Sequence, residues 1–154
     1  MKLLREILYK VEINSISGNT SLEVNNIEFD SRLIKEGDIY VAVNGVNVDG
    51  HTFISQAVQN GAKCIVCEKI PKQKNQEVVY VNVKSSRKAL AIISSNYFDN
   101  PSSKLNLIGV TGTNGKTTIA TLLYELYTSL GIKSGLISTV KISYDDKNFQ
   151  ASQT

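Results

Sequence analysis

Histidine occurs once and cysteine twice in this 154-residue sequence. His51 has no Ser or Cys at a recognised catalytic spacing, so it reads as a surface or capping residue and not as a catalytic base. Cys64 and Cys67, in "AKCIVCEK", fit a redox pair or half of a zinc site by spacing alone. Zinc takes about four ligands, and a lone histidine does not complete that set. If "CIVC" is a strand, residues three apart point to opposite faces. Two buried, apolar-like thiols are therefore expected. No apolar run is long enough to span a bilayer. The segment "MKLLREILYKVEI" is not a signal peptide, because Arg5, Glu6 and Lys10 interrupt any apolar stretch. A cytoplasmic location is expected by default. Repeats and low-complexity tracts are also missing. The 17 basic residues outweigh the 14 acidic ones by only three and are scattered, which argues against a nucleic-acid binder.

What is present is an ordinary globular composition, 42% apolar and 20% charged. A chain this long can bury roughly two-thirds of its unfolded surface. Leu3, Leu4, Ile7, Leu8 and Val11 fit one face of an N-terminal helix. "NNIEFDSR" and "GDIYVAVNG" read as short strands that end in turn residues. "HTFISQAVQNGA" reads as a helix stopped by Gly61. "KCIVCE" and "EVVYVNV" have strand length, and "KIPKQKNQ" between them reads as a loop. "SSRKALAIISSNYF" reads as a helix capped by Ser85 or Ser86. The alternation predicts an α/β fold. "FDNPSSKLN", with Pro101 among loop formers, marks a domain junction near residues 99–104, giving units 1–103 and 104–154. Past it come a strand (Asn106–Val110), a loop, a helix (Lys116–Leu130), then "SGLIST" and "VKISYDD". Such a unit is only the start of a nucleotide-binding sheet, so the chain is expected to be the N-terminal part of a longer protein.

The chemistry is concentrated in "GVTGTNGKTT". The standard phosphate loop is G-x-x-x-x-G-K-[ST]. Here Gly112, Gly115, Lys116 and Thr117 are in place, but Val110 stands where the first glycine belongs and Gly109 is one position early. The physics of anion binding still fits. The glycines permit close backbone approach, and the N–H groups of Thr113, Asn114, Gly115, Lys116 and Thr117 can form a nest. The following helix adds its positive end. Lys116 is placed to reach the β- and γ-phosphates, and the Thr117 hydroxyl to ligate Mg²⁺, with Thr118 in support. Read from residues alone, the ligand is ATP or GTP with Mg²⁺.

"GVTGTNGKTT" resembles the ATP-binding motif of the Mur ligase family, whose loop has the same displaced glycine; folylpolyglutamate synthases carry a similar one. Ahead of it, "FDSRLIKEGDIYVAVNGVNVDGHTFISQAVQNGAKCIV" resembles the UDP-sugar-binding domain of that family, which those synthases lack. "SGLISTV" resembles a "GLIGT" segment of the branch that adds the third peptide residue, with Ser138 in place of a Gly. "SQT" resembles the start of a substrate-contacting segment in that branch. The resemblance implies residues 1–103 as a UDP-sugar-binding domain and 104–154 as the beginning of a P-loop (Rossmann-like) ATP-binding domain.

It also implies an ATP- and Mg²⁺-dependent ligase of peptidoglycan synthesis. Such an enzyme joins meso-diaminopimelate or L-lysine to UDP-N-acetylmuramoyl-L-Ala-D-Glu through an acyl phosphate. Phe29, Ser31, Val46, Asn47, Val48, Gln153 and Thr154 are the implied substrate contacts, and Lys116 the implied catalytic residue. For "DSR" the residues alone favour a simple turn, in which Asp30 caps, Ser31 bends and Arg32 pairs with a carboxylate. The family's carbamylated lysine and acceptor-specificity residues fall beyond Thr154, so the chain alone is expected to be inactive. A monomer without membrane insertion is expected. Three alternatives stay open: a D-Ala-D-Ala-adding ligase, a non-catalytic UDP-sugar or ATP module, and another P-loop enzyme such as a kinase or GTPase.

Overall fold

The computed structural model describes residues 2–45, 48–145 and 147–150. The chain divides into two compact units, Met1–Leu105 and Asn106–Thr154. The first unit opens with β1 (Lys2–Leu3), one helical turn α1 (Leu4–Ile7), β2 (Ile13–Ser17), β3 (Glu23–Val24) and β4 (Ile27–Glu28). It continues through β5 (Ile39–Val41), a 3-10 turn at Gly50–Phe53, α2 (Ile54–Gln59), β6 (Cys64–Cys67), β7 (Val79–Val83) and α3 (Ser86–Tyr97).

Five of these strands form one sheet in the order β2-β7-β6-β5-β4. β4, β5, β6 and β7 run parallel, and β2 lies antiparallel on the margin beside β7. A parallel sheet covered on both faces calls for continuous apolar strands, and "CIVC" and "VYV" supply them. Alternation then sorts the side chains. Ile39, Val41, Cys64, Val66, Val79, Val81 and Val83 meet Leu4, Ile7, Ala89 and Ile93 on one face, under α1 and α3. Tyr40, Ala42, Ile65, Cys67 and Tyr80 meet Ile54 and Ala57 of α2 on the other. Each fully buried Ile or Leu contributes about 1.5–3 kcal/mol to this arrangement. The two cysteines fall on opposite faces, both buried and free, as the strand period requires.

The helix ends follow the sequence signals. Ser85 accepts a hydrogen bond from the Lys88 N–H at 3.4 Å and caps α3. Gly61 closes α2 with φ of +102°, and a Cβ there would stand 2.8 Å from Glu36 Cα. Two features depart from the expectations. The N-terminal apolar residues do face the core, yet only Leu4–Ile7 is α-helical. Lys2 and Leu3 are taken into a ladder with β3, and Lys10 adopts φ of +63°, which ends any helical run. "INSIS" is a strand, β2, that its polar composition conceals.

In the second unit the helix is α4 (Lys116–Ser129), followed by β8 (Gly135–Ile137), β9 (Lys141–Tyr144) and β10 (Lys147–Gln150). These strands form an antiparallel meander in the order β10-β9-β8. The expected strand at Asn106–Val110 is not formed. A strand exists only through a neighbour's backbone, and no described residue pairs with this segment; Leu107 and Ile108 stay 72% and 60% exposed. Ile119, Leu122 and Leu126 of α4 are likewise exposed. No helix among the described residues is long and apolar enough to cross a membrane.

Candidate functional site

The loop before α4 has the backbone of an anion cradle. Gly112 has φ of +147° and Gly115 +76°, conformations that a Cβ strongly disfavours. Gly115 is the N-cap of α4, and its carbonyl accepts from the Ile119 N–H at 2.9 Å. No hydrogen bond among the described residues takes up the N–H groups of Thr113, Asn114, Gly115, Lys116 or Thr117. Five donors therefore open at the positive end of a 14-residue helix. The Lys116 ammonium folds back over this loop and donates to Gly112 O at 2.6 Å and Thr113 O at 3.1 Å. Thr117 is half-buried and Thr118 exposed. The donor set suits phosphate oxygens, with a lysine held at the rim and a threonine hydroxyl on the first turn for a hard cation.

The first unit carries Phe29, Ser31 and Val48 at one end of its sheet. Loops that follow parallel strands leave at the strands' C-terminal ends, where α/β proteins bind ligands. Phe29 follows β4 and Val48 lies in the loop after the neighbouring β5; they are 54% and 55% exposed. Ser31 is only 5% exposed. Its hydroxyl donates to Gln56 Oε1 at 2.8 Å, and its carbonyl accepts from Asn60 Nδ2 at 2.8 Å. Asp30 accepts from the Arg32 N–H at 3.0 Å and pairs with its guanidinium at 2.6 Å. That contact holds the Asp30 carboxyl down at about 2. Val46, Asn47, Gln153 and Thr154 lie outside the described residues.

The described ends of the loop between β5 and α2 are tied by groups that sequence reading did not connect. Asn44 and Asp49 form an antiparallel bridge, and the Gly45 N–H donates to Val48 O at 3.0 Å. Below them, the Gly50 N–H donates to Val43 O at 2.9 Å and the Tyr40 hydroxyl to Gly50 O at 2.9 Å. Burial pushes the Tyr40 phenol up to about 12, so it stays a donor.

His51, read as a surface or capping residue, is largely buried: its side chain is 13% exposed and both ring nitrogens are engaged. Nε2 accepts from the Glu68 N–H at 3.0 Å. An accepting nitrogen is bare, so Nδ1 carries the proton and donates to Asp49 Oδ1 at 2.6 Å. The His51 backbone N–H and ring together hold the Asp49 carboxyl below its ordinary range. Glu68 Oε1 accepts in turn from the Ser86 N–H at 2.9 Å, at the start of α3. Arg87 Nη2 donates to Asn44 O at 3.3 Å.

Comparison with known proteins gives a consistent assignment. Residues 23–98 match the description "Mur ligase family, catalytic domain", and residues 110–154 match "Mur ligase middle domain". The chain is 48% identical over 152 residues to the UDP-N-acetylmuramoyl-L-alanyl-D-glutamate--2,6-diaminopimelate ligase of Cytophaga hutchinsonii, covering 98% of this chain and 31% of that protein. It thus spans about a third of the length of the curated relatives it matches. A solved UDP-N-acetylmuramoyl-L-alanyl-D-glutamate--2,6-diaminopimelate ligase has the same fold, with a TM-score of 0.70 and 24% identity over 93% of this chain and 28% of that one. A MurF ligase of Thermotoga maritima, solved in complex with ADP, is 32% identical with a TM-score of 0.52 over 69% of this chain and 24% of that one. With a family domain matched on each side of the junction at Leu105, and a family fold followed over most of its length, the chain belongs to the Mur ligase family.

Proposed function

We propose that this chain is the N-terminal portion of an ATP-dependent ligase of peptidoglycan synthesis. The ligase adds the third amino acid to UDP-N-acetylmuramoyl-L-Ala-D-Glu. The relatives' names favour 2,6-diaminopimelate over lysine as that amino acid. Residues 1–103 are assigned to UDP-sugar binding and 104–154 to the beginning of the ATP-binding domain. The enzyme acts as a cytoplasmic monomer, without nucleic acid or membrane partners.

The observation that carries the reading is the row of open N–H donors between Gly112 and α4, set beside Lys116. A carboxylate is a poor acyl donor until it receives the γ-phosphoryl group of ATP. Lys116 leaves its loop carbonyls and neutralises charge on the β- and γ-phosphates; the nest and helix end hold them in line. Mg²⁺ would supply charge neutralisation at the phosphates, and the Thr117 hydroxyl is the group here that would hold it. The amine of the incoming amino acid then attacks the acyl phosphate, and phosphate leaves. On the UDP side, Phe29 and the Val46–Val48 segment receive the uridine. Ser31 contributes through its N–H and by orienting the turn, since its hydroxyl already serves Gln56.

The test is phosphate release by the full-length protein given UDP-MurNAc-L-Ala-D-Glu, ATP, Mg²⁺ and meso-diaminopimelate. Lys116→Ala lowers kcat by at least roughly a hundredfold, as loss of a transition-state donor does elsewhere. Near-normal turnover by that variant sinks the assignment. One solved neighbour, from Acinetobacter baumannii, is a UDP-N-acetylmuramoylalanyl-D-glutamyl-2,6-diaminopimelate--D-alanyl-D-alanyl ligase, so a second arm replaces the amino acid with D-Ala-D-Ala and supplies the tripeptide substrate. Turnover in that arm alone favours the D-Ala-D-Ala-adding reading.

A further inference from the structure

The turn after β4 keeps its shape by bonds internal to it. The Leu33 N–H donates to Asp30 O at 3.1 Å, and the Asp30 carboxylate takes the Arg32 N–H and guanidinium. Such bonds shape a turn but do not locate it on the protein. Its flanks are the two-residue strand β4 and Ile34, which is buried in the core under α2. Between them, Ser31 alone bonds outside the turn among the described residues, and both of its bonds go to α2 and its end. Its hydroxyl donates to Gln56 Oε1 and its carbonyl accepts from Asn60 Nδ2, each at 2.8 Å. Gln56 lies in α2 and Asn60 directly follows it. Four positions apart, they share one helix face and meet the same residue. Both are exposed and belong to neither apolar core, whereas Ile54 and Ala57 seat the helix. Their side chains make no other hydrogen bond among the described residues. Ser31 is thus gripped by its side chain and carbonyl, while no hydrogen bond among the described residues takes up its N–H. Phe29, two positions earlier, is exposed beside it.

We propose that Gln56 and Asn60 are positioning residues for the nucleotide end of the UDP-sugar substrate, fixing Ser31 to α2 so that its free N–H is presented to uridine at a set place. This rests on the reading above that Ser31 contacts the UDP-sugar. Neither residue touches the substrate; both act through Ser31. Binding to a turn already held in place avoids the cost of ordering it.

The test is steady-state kinetics of the full-length protein, paired with thermal unfolding. Gln56→Leu keeps the bulk but leaves the nearly buried Ser31 hydroxyl without its acceptor. It raises the KM for UDP-MurNAc-L-Ala-D-Glu about tenfold, the scale of a buried hydroxyl left unpaired. The kcat, the KM for ATP and the unfolding midpoint change little. Gln56→Glu, which keeps an acceptor for the hydroxyl, recovers most of the loss. Asn60→Ala raises the same KM about threefold, as befits one neutral bond. In a Ser31→Ala background, Gln56→Leu adds no further loss, because the group it acts through is gone. An unchanged UDP-sugar KM in Gln56→Leu and Asn60→Ala overturns the proposal. So does a loss spread evenly over kcat and both KM values, or a full additional loss in the Ser31→Ala background. If Gln56→Leu does not fold, Asn60→Ala decides by the same readout. A wild-type enzyme that ignores the UDP-sugar overturns the functional reading and this proposal with it. Wild-type turnover with unaffected variants overturns this proposal alone.

Discussion

Lys116 is held by two carbonyls of its own loop. Any nucleotide must replace those contacts, so part of the ammonium's attraction in the ground state is cancelled by what it gives up. Its contribution is thereby concentrated in the transition state, where charge on the transferring group grows. Lys116→Ala is expected to lower kcat by roughly a hundredfold while weakening ADP binding far less; calorimetric titration with ADP beside the turnover assay checks the split. Asp30 offers a second single-residue test. Its carboxyl lies at about 2 because Arg32 bonds to it. A depressed carboxylate stabilises the fold fully above its ordinary value of about 4, and the gain disappears as pH falls through about 2. In Arg32→Met the Asp30 resonance should titrate near 4 by NMR; an unchanged midpoint refutes the pairing. Such residues differ in how well a sequence announces them. The Asp30–Arg32 turn and the cysteine faces follow from local spacing, since their partners lie within two residues or on one strand. His51 does not, because its second partner is the Glu68 N–H, 17 positions on, brought there by the sheet.

Among the elements, α3 was read with its cap because Ser85 precedes a run with helical periodicity. Ser85→Ala should cost roughly 0.5–1 kcal/mol, towards the low end of N-cap losses given the 3.4 Å bond. Urea unfolding of the wild type and variant measures it, and Ser85→Asp should retain most of the stability. The buried strands β5, β6 and β7 were legible for a similar reason: two covered faces demand unbroken apolar runs. β2 was not, since only one of its faces meets the core and its sequence is "INSIS". The N-terminal helix was overextended because hydrophobic periodicity says which residues face inward, not where Lys10 turns the backbone. Asn106–Val110 fails for the opposite reason. Its apolar pattern is sound, but pairing is a property of two segments and a single run cannot report its partner.

For the molecule as a whole, the two units differ in how far they close on themselves. The first has two apolar cores, one on each face of its sheet. The second leaves Leu107, Ile108, Ile119, Leu122 and Leu126 exposed. Residues 1–105 are therefore expected to fold alone with one cooperative urea transition, whereas 106–154 alone should show none. Circular dichroism on the two pieces decides, and a cooperative transition in the second refutes the contrast. The sheet of the first unit also ends abruptly on both sides. At one margin β4 offers just two residues; at the other β2 is polar and its register slips between Ile13 and Ser15. Neither presents a long, flat row of free backbone groups, the template on which strands of separate molecules zip together. Self-association through this sheet is thus discouraged by its own borders.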